Sequence, residues 1–261
     1  EPSGEKAEHH RVAVLGAGMS GVCMGIRLRE HGIEDFVILE KADAVGGTWR
    51  ENTYPGVACD VPSHLYSFSF ELNPEWSHAF SSGGEIWRYL EHCADKYGLR
   101  PKLRLGREIA QVAWSDGVWE VTTRDGARLT ADVVVSGLGG LHLPNHPDIE
   151  GLESFGGTRF HTAEWRHDHD LTGRRVAIIG TGASAAQVLP GIADDVAEVT
   201  VFQRHAAWVF PRMAQDIPEE RRERYRRHPF LMRLNRWRLW LLLDVIGVLS
   251  LRRDSRMNKR V

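Results

Sequence analysis

RVAVLGAGMSG, residues 11–21, is an apolar run that ends in a glycine-rich turn. Its Gly16, Gly18 and Gly21 give the spacing G-x-G-x-x-G, with Ser20 inside the turn. Each glycine has a physical reason to be there. Gly16 permits a tight turn, Gly18 lets the backbone approach a pyrophosphate, and Gly21 lets a following helix pack close on the strand. The next segment, MSGVCMGIRLREHG, reads as a helix closed near Gly32, and DFVILE reads as a second strand ending on Glu40. The helix N-terminus then faces the phosphates, and Glu40 is placed to accept hydrogen bonds from a ribose. Glycines at this spacing also mark ordinary turns. Here strand, turn, helix, strand and acid follow in order, as a dinucleotide-binding βαβ unit requires.

RRVAIIGTGASAAQ, residues 174–187, repeats the pattern with Gly180, Gly182 and, at the third position, Ala185. Thr181, Ala183, Ser184 and Gln187 complete the second turn and the start of its helix. The strand EVTVFQR then ends on Arg204, followed by His205. Glu40 lies 24 positions after Gly16, and Arg204 lies 24 positions after Gly180. The counts therefore put an acid in the first unit and a base in the second at one slot. An acid suits the free ribose of FAD or NAD, and a base suits the 2′-phosphate of NADP. A solvated arginine at a strand end is the other reading.

Two such units imply two dinucleotides, and hydride transfer from NADPH to a flavin is an economical reason to hold both. A duplicated fold with one inactive site is the alternative. The fold class expected is α/β, with two Rossmann-like dinucleotide-binding units, for FAD and NADP. The second is expected to be cut short and followed by a helical tail from about residue 211. The expected division is 1–145 for FAD, 146–170 as linker and 171–261 for an incomplete NADP-binding domain.

Between the two turns, Gly46 and Gly47 precede Thr48 and Trp49, a second place where backbone could approach a cofactor. The stretch onward to Phe70 is rich in Gly and Pro but also in aromatic residues, so it reads as a packed loop. Asp60 lies in it beside Cys59, and a single Asp in a loop is commonly a turn residue. Residues 84–98 read as an amphipathic helix, and three alternating segments follow as strands, with Asp125-Gly126 as a hairpin turn. SGLGG at 136–140 breaks the last strand. FGGTRFHTAEW, residues 155–165, then bridges to the second unit, with Gly157, His161 and Trp165 at four-residue intervals after Phe155. Neither helix nor strand periodicity accounts for it.

The bulk numbers exclude several classes. A net charge of −2 over 261 residues gives no reason to expect nucleic acid. Cys23, Cys59 and Cys93 form no CxxC and no even set, which points to a reducing, cytoplasmic setting. No N-terminal apolar run resembles a signal peptide. LWLLLDVIGVLS, 239–250, carries Asp244 and is too short to span a bilayer. The arginine-rich segment before it could form a helix lying on anionic membrane, but a lid helix is the preferred reading. HDHD, 167–170, matches no common zinc spacing, so no metal is expected. Cys59 lacks a partner at disulfide-reductase spacing and reads as a packed cysteine.

Phe155, Gly157, His161 and Trp165 resemble the fingerprint F-x-G-x-x-x-H-x-x-x-W of the type I Baeyer–Villiger monooxygenases, class B flavoproteins. Arg166 departs from the Pro or Asp that usually closes it. Trp165 favours this branch over the flavin-containing monooxygenases. The resemblance runs from about Val12 to Phe210 and implies an N-terminal half, with the C-terminal half absent.

The resemblance carries roles with it. It implies FAD at the turn of Gly16, Gly18, Ser20 and Gly21, with Glu40 on the ribose. It puts Gly47, Thr48, Trp49 and Arg50 near the flavin, and Tyr66 and Ile109 at flavin-contact positions. Ala58, Cys59 and Asp60 match a loop between flavin and nicotinamide, where Asp60 would orient a catalytic arginine. His161 and Trp165 would couple domain movement to catalysis, against the alternative of a packed linker. Thr181, Gly182, Ala183, Ser184, Ala185 and Gln187 would hold the NADP pyrophosphate. Arg204 and His205 stand where the family has an Arg-Thr pair on the 2′-phosphate.

The implied reaction is NADPH- and O2-dependent conversion of a ketone to an ester or lactone through a C4a-peroxyflavin. An N- or S-oxygenating flavin monooxygenase and a non-catalytic nucleotide-binding fragment are the other hypotheses. The expected partners are a small ketone, O2 and possible need of the C-terminal half; neither nucleic acid nor membrane is expected.

Overall fold

The computed structural model describes residues 8–141, 143–205 and 215–251, with backbone alone for 249–251. The chain is α/β, as the repeated strand–turn–helix pattern requires. It divides into two compact bodies: a larger one of 1–57 and 86–206, and a smaller one of 58–85 and 207–261.

The larger body is built on strand β1 (Glu8–Leu15), helix α1 (Met19–Glu30) and strand β2 (Phe36–Leu39). A short helix α2 (Thr48–Glu51) follows, then α3 (Gly83–Lys96), whose first turn contains the boundary between the bodies. Strands β3 (Leu103–Arg104), β4 (Ile109–Ser115), β5 (Val118–Thr123) and β6 (Arg128–Ser136) complete one six-stranded sheet in the order β3-β2-β1-β6-β5-β4. Its first four strands are parallel; β5 runs antiparallel to β6, and β4, antiparallel to β5, runs in the direction of the first four. β1 and β6 are the central pair, and β2 lies on the other side of β1. Val12, Ala13, Val14, Leu15 and all of β2 are buried, the continuous apolar pattern of a parallel strand covered on both faces. α1 covers one face with Val22 and Ile26, and Gly25 lies against Ile38 and Leu99, where a Cβ would come within 2.8 Å of Ile38. α3 contributes buried Ile86, Leu90, Cys93 and Ala94.

The second glycine pattern forms a smaller sheet. β7 (Arg175–Ile179) pairs in parallel with β8 (Glu198–Phe202), with α4 (Ala183–Ile192) between them in sequence. Val188 and Ile192 of α4 are buried in a cluster with Tyr54. The outer side is open: Ile179 is 53% and Phe202 55% exposed.

The smaller body joins the loop after residue 57 to helices α5 (Glu219–Arg227) and α6 (Pro229–Leu251). The tail is helical as expected, though 211–214 lie outside the described residues. Arg236 of α6 donates to the carbonyls of His64 and Leu65 at 2.8 and 3.0 Å, and buried His64 meets the Tyr225 ring edge-on.

Candidate functional site: two glycine turns

The first turn is closed by backbone packing. Gly16 takes φ +92°, and a Cβ there would meet the Gly137 carbonyl at 2.7 Å. Gly21 has less room still, since a Cβ would sit 1.8 Å from the Gly16 carbonyl oxygen. The first and third glycines therefore pack on each other, which draws α1 onto the end of β1. Gly137 belongs to the broken strand end SGLGG and donates to the Leu15 carbonyl at 2.8 Å. Sequence reasoning gave that segment no part in the site; glycines directly after a parallel strand beside β1 were the available signal.

Gly18 differs. Its nearest neighbour for an added Cβ is the Gly47 Cα at 3.6 Å, and Gly47 has φ +51° with Gly18 Cα at 3.0 Å from its own ideal Cβ. The loop carrying Gly46 and Gly47 is held by a Gly46 amide to Ala17 carbonyl bond of 3.0 Å, and by Trp87, whose Nε1 donates to Val45 at 2.9 Å. Two glycine backbones thus face each other at the start of α1. No side chain caps α1, and its first turn holds no acid. This arrangement fits a dinucleotide pyrophosphate. It offers uncapped helix amides, no repelling charge and a backbone cradle that side chains at 18 and 47 would fill.

Glu40 is 6% exposed and follows β2 directly. Its Oε2 accepts from the Ala17 amide at 2.7 Å and its Oε1 from the Ala42 amide at 2.9 Å. A carboxylate oxygen can accept twice, so both retain capacity toward a ribose.

Near this turn, Thr48 and Trp49 are half-buried on α2. Arg50 turns its guanidinium to Asp43 at 2.9 Å and to Glu51 at 3.8 Å. Ile109 opens β4 and packs on the cluster of Ala13, Leu15 and Val37. Ser20 is exposed. Ala58, Cys59, Asp60 and Tyr66 lie in the smaller body. There Ala58 and Cys59 are buried, Tyr66 is half-buried and Asp60 is exposed.

The second turn repeats the first with more space. Gly180 has φ +110°, Gly182 directly precedes α4, and a Cβ at either would meet nothing within 4 Å. α4 also has no side-chain cap and no acid in its first turn. Ala185 carries a Cβ where Gly21 could not, so α4 stands further from its turn than α1 does. Thr181, Ser184 and Ala185 are half-buried, and Gly182 and Ala183 are exposed. Gln187 accepts from the Tyr54 hydroxyl at 3.0 Å, and its carbonyl lies where a Cβ on Gly56 would meet it at 2.4 Å.

The register of the two repeats corrects the counting of slots. Leu15 pairs with Leu39, and Ile179 pairs with Phe202. The Gly16 amide donates to the Leu39 carbonyl at 2.7 Å, and the Gly180 amide donates to the Phe202 carbonyl at 2.9 Å. Gln203 is therefore the counterpart of Glu40, and Arg204 is the counterpart of Lys41. Equal offsets misplaced the base by one residue, because the second repeat spends one residue fewer between its glycine and the end of its second strand. Gln203, Arg204 and His205 are all exposed.

In the connecting segment, His161 Nδ1 accepts from the Ala163 amide at 3.1 Å, and its ring meets His146 edge-on. The Phe155 ring folds over Gly157, where a Cβ would meet it at 2.6 Å. Trp165 packs edge-on against Phe160 and joins the cluster of Tyr54, Val188 and Ile192. Beside it an open cleft of about 340 Å³ is lined by Pro55, residues 165–171, Gly191, Ile192 and Asp195. Arg166 pairs with Asp168, His167 bonds Thr53 and His169 meets Phe160. Among the described residues no three of His, Cys, Asp and Glu gather as a metal-binding set, and no helix is long and apolar enough to cross a membrane.

Residues 13–224 match the family model described as pyridine nucleotide-disulphide oxidoreductase. The chain is 54% identical over 235 residues to a Baeyer–Villiger monooxygenase of Streptomyces coelicolor, covering 89% of this chain and 45% of that one. It is 48% identical over 246 residues to a Baeyer–Villiger monooxygenase of Pseudomonas aeruginosa, covering 94% and 47%. A closed crystal structure of cyclohexanone monooxygenase superposes with a TM-score of 0.77 at 35% identity, over 84% of this chain and 42% of that one. An oxidized steroid monooxygenase bound to NADP gives 0.75 at 37%, over 83% and 43%. The chain spans about half the length of the curated relatives it matches. It belongs to the pyridine nucleotide-disulphide oxidoreductase family, and the resemblance to Baeyer–Villiger monooxygenases read from its fingerprint is borne out.

Proposed function

We propose, from membership of the pyridine nucleotide-disulphide oxidoreductase family, that this chain forms the dinucleotide-binding part of an NADPH- and O2-dependent flavoprotein that converts ketones to esters or lactones. The observation that carries the reading is the pair of glycine turns, each at an uncapped helix start with no acid in its first turn. In balance, ketone, O2, NADPH and a proton give ester, NADP⁺ and water. FAD, when bound, supplies the redox chemistry that links the nicotinamide to O2.

The chain's own residues bind and orient. Gly16, Gly18 and Gly21, with Gly47 opposite, hold the FAD pyrophosphate, and Glu40 takes the ribose with its remaining lone pairs. Thr48, Trp49, Arg50, Tyr66 and Ile109 keep the flavin-side positions that the resemblance gives them. Asp60, exposed beside buried Cys59 and Ala58, is proposed to orient a cation near the reacting atoms. Thr181, Gly182, Ala183, Ser184, Ala185 and Gln187 receive the NADP pyrophosphate, with Arg204 and His205 toward its 2′-phosphate. His161, through its cap on Ala163, and Trp165, through its contacts with Tyr54 and α4, are proposed to transmit movement of the linker to the second repeat. The working division remains 1–145, 146–170 and 171–261, in a cytoplasmic setting.

The test begins with flavin content. The purified chain should retain FAD, and Gly18→Val should lose it with circular dichroism unchanged, since a side chain there fills the cradle rather than the core. Stoichiometric flavin in Gly18→Val would remove the first repeat from the site. Product analysis with a cyclic ketone and a thioether, on protein of the relatives' full length, separates ester formation from sulfur oxygenation.

A further inference from the structure

The geometry points to Gln203 as the residue that lets the second repeat accept a 2′-phosphorylated dinucleotide. This rests on the proposed reading of that repeat as an NADPH site. In the first repeat the residue directly after β2 is Glu40, a carboxylate pinned by the Ala17 and Ala42 amides at 2.7 and 2.9 Å. A ribose reaching that position meets a fixed negative charge. Free hydroxyls can donate to it, but a 2′-phosphate of about two negative charges would be repelled.

In the second repeat the strand pairing puts Gln203 at that position. Gln has the shape of Glu without its charge, so the repulsion is absent while an acceptor for a ribose hydroxyl remains. A base follows the position in both repeats. Lys41 follows Glu40 and pairs with Glu51 at 3.4 Å, and Arg204 follows Gln203. A base at the next residue therefore does not distinguish the repeats. The change from carboxylate to amide does, and Arg204 adds attraction once the repulsion is gone.

The experiment is calorimetric titration of the 261-residue protein with NADPH and with NADH, for the wild type, Gln203→Glu and Arg204→Ala. Gln203 is exposed, so the acid should leave the fold intact by circular dichroism. Gln203→Asp, one methylene shorter, provides a second acid should Gln203→Glu fail to fold. Gln203→Glu is expected to lower the ratio of NADPH to NADH affinity by roughly tenfold or more, mainly by weakening NADPH. An unchanged ratio in a folded acid variant, with collapse of the ratio in Arg204→Ala, assigns selectivity to the arginine and overturns the inference. Equal loss of both dinucleotides in the acid variants also overturns it. A wild-type chain that binds neither overturns the reading of the second repeat itself, and the inference with it.

Discussion

The Glu40 carboxylate accepts the Ala17 amide at 2.7 Å, so the acid at the end of β2 fastens the turn at the end of β1. The same side chain accepts the Ala42 amide, and it is nearly out of contact with solvent. Glu40 is thus a structural tie as well as a ribose acceptor. Glu40→Ala strands two amides and should cost about 2–4 kcal/mol of stability in the larger body. Chemical denaturation without added cofactor checks this. A loss confined to cofactor affinity, with stability unchanged, would mean that the tie contributes nothing.

Gly21 and Ala185 occupy the third glycine position of their repeats under different constraints. Gly21→Ala drives a methyl into the Gly16 carbonyl and should cost more than about 3 kcal/mol, or prevent folding. Ala185→Gly removes only a good helix former near the start of α4 and should cost about 1 kcal/mol. Melting the two variants side by side measures the contrast, and similar small losses would show that the first turn relaxes easily.

Arg204→Ala should weaken NADPH by about tenfold to a hundredfold and leave NADH nearly unchanged, because a charge-assisted bond to phosphate contributes about 1.5–3 kcal/mol. Titration with both dinucleotides is the measurement. Equal loss for both would take the 2′-phosphate role from Arg204.

His64 predicts an acid limit for the smaller body. Burial, and then the charges of Arg221 and Arg236, push its pKa from 6.5 down to about 4. The folded state therefore holds His64 neutral in a range where the unfolded chain protonates it. Its contribution is fully present above pH 6.5 and is lost as pH falls toward 4, by at most about 3 kcal/mol. Limited proteolysis of α5 and α6 from pH 7.5 downward (about one unit above the histidine range) should show release beginning near 6. His64→Phe, which cannot charge, should flatten that dependence between 6.5 and 4. An unchanged profile would assign the acid response to other groups.

Much of the first site was legible because its requirements are local. A glycine at φ +92°, a glycine where a Cβ has 1.8 Å of room, and an acid one residue past an apolar strand are each forced by backbone within one βαβ unit. The residues that failed to announce themselves act across the sheet. Gly137 closes the turn because β6 lies beside β1, and Trp87 holds the Gly46 loop from a helix some forty positions away. No spacing rule in the sequence connects them to the turn.

The sequence alone determined the α/β class, the two glycine turns and the family likeness, since periodicity and glycine spacing are properties of consecutive residues. Tertiary structure alone decided which residues share a position in the two repeats. Equal offsets matched Glu40 with Arg204, whereas the pairing of Leu15 with Leu39 and of Ile179 with Phe202 matched Glu40 with Gln203. The physical reason is that a helix and its flanking turns can lose one residue without disturbing the strands on either side. Position is then measured by the hydrogen bond from the glycine amide to the neighbouring strand, not by distance along the chain.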